Sequence, residues 1–415
     1  MTAKPQHREA RQAQLEEQFL PNWLLARFRD RAHAYDRDNQ FCAEDIEDLR
    51  SQGYLACLVP AEFGGPGLSL AEVSRLQQRL ATAAPATALA INMHLVCTGV
   101  VRVMRDRGDN SLDYVLEEAQ AGEIFAFGIS EPANDWVLQG SRTRAEPQAD
   151  GGYLFTGTKI FTSLSPVWTR LIVHGLDASD PDREQLVYGF VERPSSAVQP
   201  PTGDGSELAE IATHDGTVVV GADWDVLGMR ASHSRTTRLN GVRVRPERVA
   251  RTLAPGRTPD LLVFAITSCF QLLVGSVYAG VAWRALELGA EGLHLRRSAK
   301  SGTTLAENPE LRARLADAHR AFLAVPAQLE MCARDLDELN DHGARWPLLL
   351  VAARISAGDA ARQCAEVGLV CTGGSGFGNR NEMGRVYRDA TASLFHPPSA
   401  DAARPMYATA LLEEY

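Results

Sequence analysis

The rhythm of apolar and polar positions changes twice along this chain. From Ala10 to Ala34, apolar side chains recur at helical spacing among Ala, Arg, Glu, Leu and Gln. The stretch Val59–Ser69 then crowds glycines and prolines together, which demands turns. A second helical run starts beyond Ser69, a residue well suited to cap it, and reaches towards Arg105. Past Glu123 the period shortens. The β-branched and aromatic runs Gly152–Gly157, Arg170–Val173, Gln185–Glu192 and Thr217–Val220 are separated by Gly and Asp, as in a small antiparallel barrel or sandwich. Pro194–Asp223 is proline-bearing and acidic and is expected to be an exposed excursion. From about Pro259 the long period returns over Asp260–Ser298, Pro309–Asp341 and Arg345–Gly368, and a last helix is expected near Ala400–Glu413. The predicted fold is α+β: an N-terminal helical domain over 1–122, a middle antiparallel β domain over 123–250 and a C-terminal four-helix bundle over 251–415.

At 415 residues the chain exceeds what one compact core accommodates, which agrees with three zones. A formal charge of -10 argues against a nucleic-acid or anionic-membrane partner, since either needs a basic face. Seven cysteines are scattered from Cys42 to Cys371 without a C-x-x-C pair, so neither a disulfide framework nor a metal site is expected. The apolar stretch Leu261–Ala282 is broken by Thr267, Ser268, Gln271, Gly275, Ser276 and Gly280, and reads as a buried helix rather than a membrane span. The polar N-terminus lacks the apolar core of a signal peptide, which makes a reducing cytoplasm the expected location.

Five segments then carry a specific message in their order: Val59–Ser69, Ile129-Ser130-Glu131-Pro132, Gly157–Ser163, Leu227–Ser232, and Gly373–Ala390 with its Gly-Gly-x-Gly and Tyr-Arg-Asp-Ala. Together they resemble the acyl-CoA dehydrogenase superfamily from about Val59 to Ala390. The resemblance implies a flavin held between the β domain and the bundle, in a homotetramer or homodimer. It assigns Ser130 to the hydroxyl beside the ring and Phe161, Thr162 and Ser163 to its wall, with Ser163 placed to reach N5. Arg296 matches an Arg that grips the adenine half of FAD, and Gly373 and Gly374 let backbone approach a phosphate. Taken alone, Ser130 and Ser163 read more readily as turn and strand-end hydroxyls; the neighbouring motifs reverse that preference.

The departures from the family pattern bear on the chemistry. A dehydrogenase needs a carboxylate base to take the α-proton of its acyl thioester. The two places where the family carries that Glu fall on Pro397 and Phe270, and nothing in the spacing points to Glu287 or Asp401 as substitutes. His396 stands instead, eight residues after Arg388. That offset resembles the two-component flavin monooxygenases of the same fold, which take reduced flavin from a separate reductase and react it with oxygen. An imidazole, with an ordinary pKa of about 6.5, can donate or accept a proton there. The alternative is a loop histidine before a Pro-Pro turn.

The family's remaining adenine contacts fall on Ala299, Pro309 and Val370, and the segment Ala133–Trp136 is altered, which implies weak flavin binding or FMN in place of FAD. His94 and Arg230 are candidates for substrate contact, against the readings of a core histidine and an internal ion pair. The sequence thus points to a flavin-dependent oxidoreductase that leans to monooxygenase chemistry on a small organic substrate. The alternatives are a divergent acyl-CoA dehydrogenase using FAD and a flavin-free relative.

Overall fold

The computed structural model describes residues 5–193, 209–213 and 216–413. Its first helical zone holds α1 (Pro5–Phe19), α2 (Asn22–Asp38), α3 (Ala43–Ser51), α4 (Leu70–Ala83), α5 (Pro85–Arg105) and α6 (Asp113–Gln120). Each of the two long helical runs is split where a proline intervenes. Pro21 lacks an N–H and restricts the residue before it, so α1 ends and α2 restarts at a new angle; Pro85 does the same between α4 and α5. Ser69 caps α4 as expected. Its hydroxyl accepts from the Glu72 N–H at 3.2 Å and the Glu72 carboxylate accepts from the Ser69 N–H at 2.9 Å, a reciprocal pair that satisfies two orphan donors.

The middle zone is one sheet built from β1 (Phe125–Gly128), β2 (Arg144–Pro147), β3 (Tyr153–Thr162), β4 (Arg170–Asp177), β5 (Gln185–Glu192), β6 (Ala209–Ala212), β7 (Thr217–Val220), β8 (Arg235–Val244) and β9 (Val249–Leu253). The order is β6-β7-β8-β3-β2-β4-β5-β9, with β1 on β4. The expectation of a purely antiparallel sheet is corrected here: β1 pairs with β4 in parallel, and so does β2. Parallel neighbours require a long connection, and the β2–β3 hairpin supplies it between β1 and β4. The expected excursion over Pro194–Asp223 falls largely outside the described residues; within it, β6 and β7 form a hairpin beside β8.

The last zone contains α7 (Leu261–Leu295), α8 (Pro309–Phe322), α9 (Ala324–Asp337), α10 (Trp346–Thr372), α11 (Glu382–Thr391) and α12 (Ala400–Leu412). Helix α7 is apolar nearly all round because it is the axis of the molecule: α10 covers one side, α4 and α5 another. At Gly280 a Cβ would sit 2.1 Å from the Gln78 carbonyl oxygen, so only glycine lets α7 approach α4 this closely. Ser74 and Ser276 seal the same contact with a hydroxyl pair at 2.7 Å. Both α5 and α7 are long and apolar enough to cross a membrane, but 94% and 72% of their most apolar windows are buried against other elements of the chain.

Candidate active site

Where the end of β1 meets α7, aromatic side chains line up. Phe127 stacks on Phe270 with ring centroids 6.1 Å apart and an interplanar angle of 27°. Phe270 meets the edge of His396 at 6.3 Å, and His396 leans on Tyr278 at 5.4 Å. Phe270 and Tyr278 share a face of α7 because residues four and eight apart on a helix align. The Tyr278 hydroxyl lies 2.6 Å from His396 Nε2.

The loop that carries His396 is held from below. Gln271 Nε2 donates to the Pro397 carbonyl at 3.0 Å, and Arg354 on α10 donates to Gln271 Oε1 at 2.7 Å. Arg354 also donates to the Pro398 carbonyl. Arg354 is buried, and among the described residues no carboxylate pairs with it. Burial, with the Arg354 charge adding to it, lowers the His396 pKa to about 3, so the imidazole is neutral near pH 7. Burial pushes the Tyr278 phenol well above its ordinary value, so it keeps its proton.

No described carboxylate hydrogen-bonds to His396, Tyr278, Gln271 or Arg354. Glu287 is taken by Arg284 at 3.0 Å on another stretch of α7. Asp401 is exposed and pairs with Arg404 at 2.9 Å. Neither belongs to the constellation around the imidazole.

Three residues past Phe127 stands Ser130. Its carbonyl accepts from the Ile160 N–H at 2.9 Å, which ties the segment to the end of β3. There the pairing with β8 loses register between Lys159 and Thr162, and Phe161 adopts a positive φ of 56°. A β-bulge of this kind re-aims side chains at a strand end. Phe161 stands half exposed, Thr162 is buried with its hydroxyl unpartnered, and Ser163 is buried. Ser163 Oγ lies 2.6 Å from Ser234 Oγ, which in turn reaches Ser232 Oγ at 2.9 Å. An exposed aromatic face, an orphaned hydroxyl and a short hydroxyl chain fit the planar, polar-edged ring of a flavin. Ser163 thus adjoins Phe161 and Thr162 at the end of β3, with Ser234 as its hydroxyl partner.

Arg296, Gly373 and Gly374, which the resemblance assigns to the adenine half and a phosphate of the cofactor rather than to its ring, lie apart from this wall. Phe270 and Arg296 are far apart on the same helix, and at about 1.5 Å per residue that separation is roughly 39 Å. Arg296 donates to the Cys371 carbonyl at 2.7 Å and so closes the C-terminal end of α10. Gly373 has φ of 66°, and a Cβ there would lie 2.6 Å from the Arg296 guanidinium carbon. Gly374 faces open space. These three form a cluster of their own at the far end of the bundle.

His94 and Arg230 are engaged elsewhere. His94 is fully buried; its Nδ1 accepts from the Phe125 N–H at 3.1 Å and its Nε2 donates to the Leu55 carbonyl at 2.8 Å. Both ring nitrogens are used, burial lowers the pKa to about 4, and none is left for a substrate. Arg230 donates to the Asp36 carbonyl at 2.9 Å, to Asp225 at 2.8 Å and to the Val226 carbonyl at 2.8 Å. It fastens the Leu227–Ser232 motif to α2, and Asp389 holds the same loop by accepting from the Met229 N–H at 2.6 Å.

The residue after Ser130 anchors the wall from inside. The buried Glu131 carboxylate accepts from Lys159 Nζ at 2.6 Å, from the Thr143 hydroxyl at 2.6 Å, from Ser141 at 2.7 Å and from the Arg142 N–H at 2.7 Å. Burial alone would raise its pKa; the Lys159 charge and these donors overcome that and hold it well below the usual carboxylate range. Lys159 is itself fully buried, lowered to about 8 by burial, and donates also to the His174 carbonyl at 2.7 Å. Phe127, Tyr278, Gln271 and Arg354 were not legible as site residues, because three of them lie inside helical runs whose pattern marks only burial.

Comparison with known proteins agrees with this layout. The family described as acyl-CoA dehydrogenase, N-terminal domain, matches residues 14–106, and acyl-CoA dehydrogenase, C-terminal domain, matches 272–397. Between them the two cover more than half of the chain. YdbM of Bacillus subtilis, provisionally named an acyl-CoA dehydrogenase, is 26% identical over 90% of this chain and 91% of its own. Dibenzothiophene monooxygenase of Rhodococcus erythropolis is 26% identical over 65% of this chain and 60% of its own. Among solved structures, the nitrososynthase of Micromonospora carbonacea var. africana superposes with a TM-score of 0.77 at 22% identity, covering 94% of both chains. TdsC of Paenibacillus sp. A11-2, in complex with FMN and indole, gives 0.75 at 22% identity over 94% of this chain and 95% of its own. The motifs, the helical–sheet–helical order and both family matches converge: the chain belongs to the acyl-CoA dehydrogenase superfamily of flavin-dependent oxidoreductases.

Proposed function

We propose that this protein is a flavin-dependent monooxygenase acting on a small organic substrate, with His396 as its central polar group. The observation that carries the reading is the His396 imidazole bonded to Tyr278 at 2.6 Å, with no carboxylate among the described residues hydrogen-bonded to either ring. A flavin bound in reduced form supplies the two electrons that activate oxygen. Phe161, Thr162 and Ser163 would hold its ring, with Ser130 beside its polar edge. Phe127 and Phe270 place stacked apolar rings beside His396, which suits an uncharged or aromatic substrate. His396 holds a proton where oxygen chemistry needs a donor.

FMN suits the chain better than FAD. The adenine-gripping positions are Ala299, Pro309 and Val370, and Arg296 already serves the end of α10. The FMN complex of TdsC among the solved relatives points the same way. A separate flavin reductase, a cytoplasmic location and a homotetramer or homodimer complete the proposal. The exposed apolar residues Leu295, Val370 and Phe377 beside the Arg296 cluster support self-association.

The test uses FMN-loaded protein, reduced without oxygen and then mixed with oxygenated buffer. In the wild type, recovery of the oxidised flavin band is expected to lag behind oxygen consumption. In His396→Ala the two should coincide, with the oxygen leaving as peroxide. Coincidence in the wild type would overturn the proposal.

A further inference from the structure

We infer that Tyr278 is a positioning residue that fixes His396 as the tautomer protonated on Nδ1, so that the imidazole presents a hydrogen-bond donor at Nδ1 and not a base. The inference follows from counting protons at one contact. Tyr278 Oη and His396 Nε2 are 2.6 Å apart, and one proton lies between them. If Nε2 carried it, the phenol O–H would have to point elsewhere. Tyr278 is fully buried, and among the described residues its hydroxyl has no second partner. A buried donor without an acceptor costs about 1–3 kcal/mol. If the phenol donates instead, Nε2 accepts and every polar atom at the contact is satisfied.

The imidazole proton then sits on Nδ1. No described residue bonds that nitrogen, which leaves it for a ligand. The surroundings keep the ring in this state. Phe270 closes one edge, Tyr278 the other, and the buried guanidinium of Arg354 on α10 disfavours a second proton. Gln271 and Arg354 hold the Pro397 and Pro398 carbonyls, so the ring cannot swing away from the phenol without breaking the loop. This device resembles the general practice of setting a histidine's role through the bond its other nitrogen makes.

The functional consequence rests on the monooxygenase reading: His396 begins the cycle as a proton donor and can accept a proton only after giving one. The tautomer itself does not depend on that reading, and the experiment separates the two. The full chain is labelled with 15N-histidine, and long-range 1H–15N correlations are recorded with and without FMN. The His396 signals are identified by their loss in His396→Asn. Nδ1 is expected at a protonated, pyrrole-type shift and Nε2 at an unprotonated, pyridine-type shift. In Tyr278→Phe the two should collapse towards an average of both tautomers. A pyrrole-type Nε2 in the wild type would overturn the inference, and that spectrum decides the matter even if Tyr278→Phe does not fold. Failure of FMN to bind would sink the proposed function, while the flavin-free spectrum still decides the tautomer.

Discussion

Substituting Lys159 by methionine strikes the charge that makes the Glu131 anchor tolerable. Methionine keeps most of the volume and removes the cation that, among the described residues, pairs with the buried Glu131 carboxylate. Breaking a buried pair by removing one partner costs about 3–5 kcal/mol, because the surviving charge is left uncompensated. The hydrogen bonds from Ser141, Arg142 and Thr143 remain, which places the expected loss near the lower end of that range. The pH dependence distinguishes this cause from loss of packing. In the wild type the folded Glu131 pKa lies below its unfolded value of about 4.3, so the stability it contributes is present above that pH and is lost on strong acidification. In Lys159→Met, burial dominates and the folded pKa rises above 4.3. The folded state then binds the extra proton, and the deficit shrinks as pH falls from 7 to 5. The double variant Glu131→Gln, Lys159→Met carries no buried charge and should show no such recovery. Urea unfolding at the two pH values measures all of this. A Lys159→Met deficit below about 1 kcal/mol, or one that is unchanged at pH 5, would refute the reasoning.

Further consequences follow from the same contacts. Gly280→Val forces α7 away from the Gln78 carbonyl and should lower stability by about 1–3 kcal/mol or more, read as a drop in melting temperature. His94→Leu strips partners from the Leu55 carbonyl and the Phe125 N–H, so stability should fall by about 1–3 kcal/mol per orphaned group while FMN affinity of the folded fraction is retained. A loss of affinity without a loss of stability would restore His94 to the substrate site. Because the His396 pKa is depressed to about 3, the ring stays neutral from pH 5 to 8, and the rate of the flavin–oxygen reaction should be flat there. A step near pH 6.5 that disappears in His396→Ala would contradict the proposed state of the ring.

Much of the architecture was legible because local chemistry dictates it. The Ser69 cap, the strand Gln185–Glu192 and the helices α7 and α10 can be read directly from residue type and period, whereas the expected run Pro309–Asp341 is broken at Leu323 into α8 and α9. The helix breaks at Pro21 and Pro85 were also encoded, but apolar spacing continues across each proline and hides the change of direction. The parallel pairing of β1 with β4 was not legible, since short strands of either sense share one period. The site divides along the same line. His396, Ser163 and Ser130 stand out by motif. Tyr278 does not, because a phenol within an apolar helical run looks like core until the loop carrying His396 folds against it. His94 and Arg230 misled for the converse reason: their partners are backbone groups of Leu55, Phe125 and Asp36, distant in sequence and without a motif of their own.

The sharpest test is anaerobic. Flavin-loaded protein is mixed, with oxygen excluded, with a panel of acyl-CoA thioesters of different chain lengths, and the oxidised flavin band is followed. With a neutral imidazole and no carboxylate among the described residues bonded to it, the proposed site supplies no base for the α-proton, and the band should persist with every thioester. Rapid bleaching by any one of them would contradict the account and return the chain to dehydrogenase chemistry.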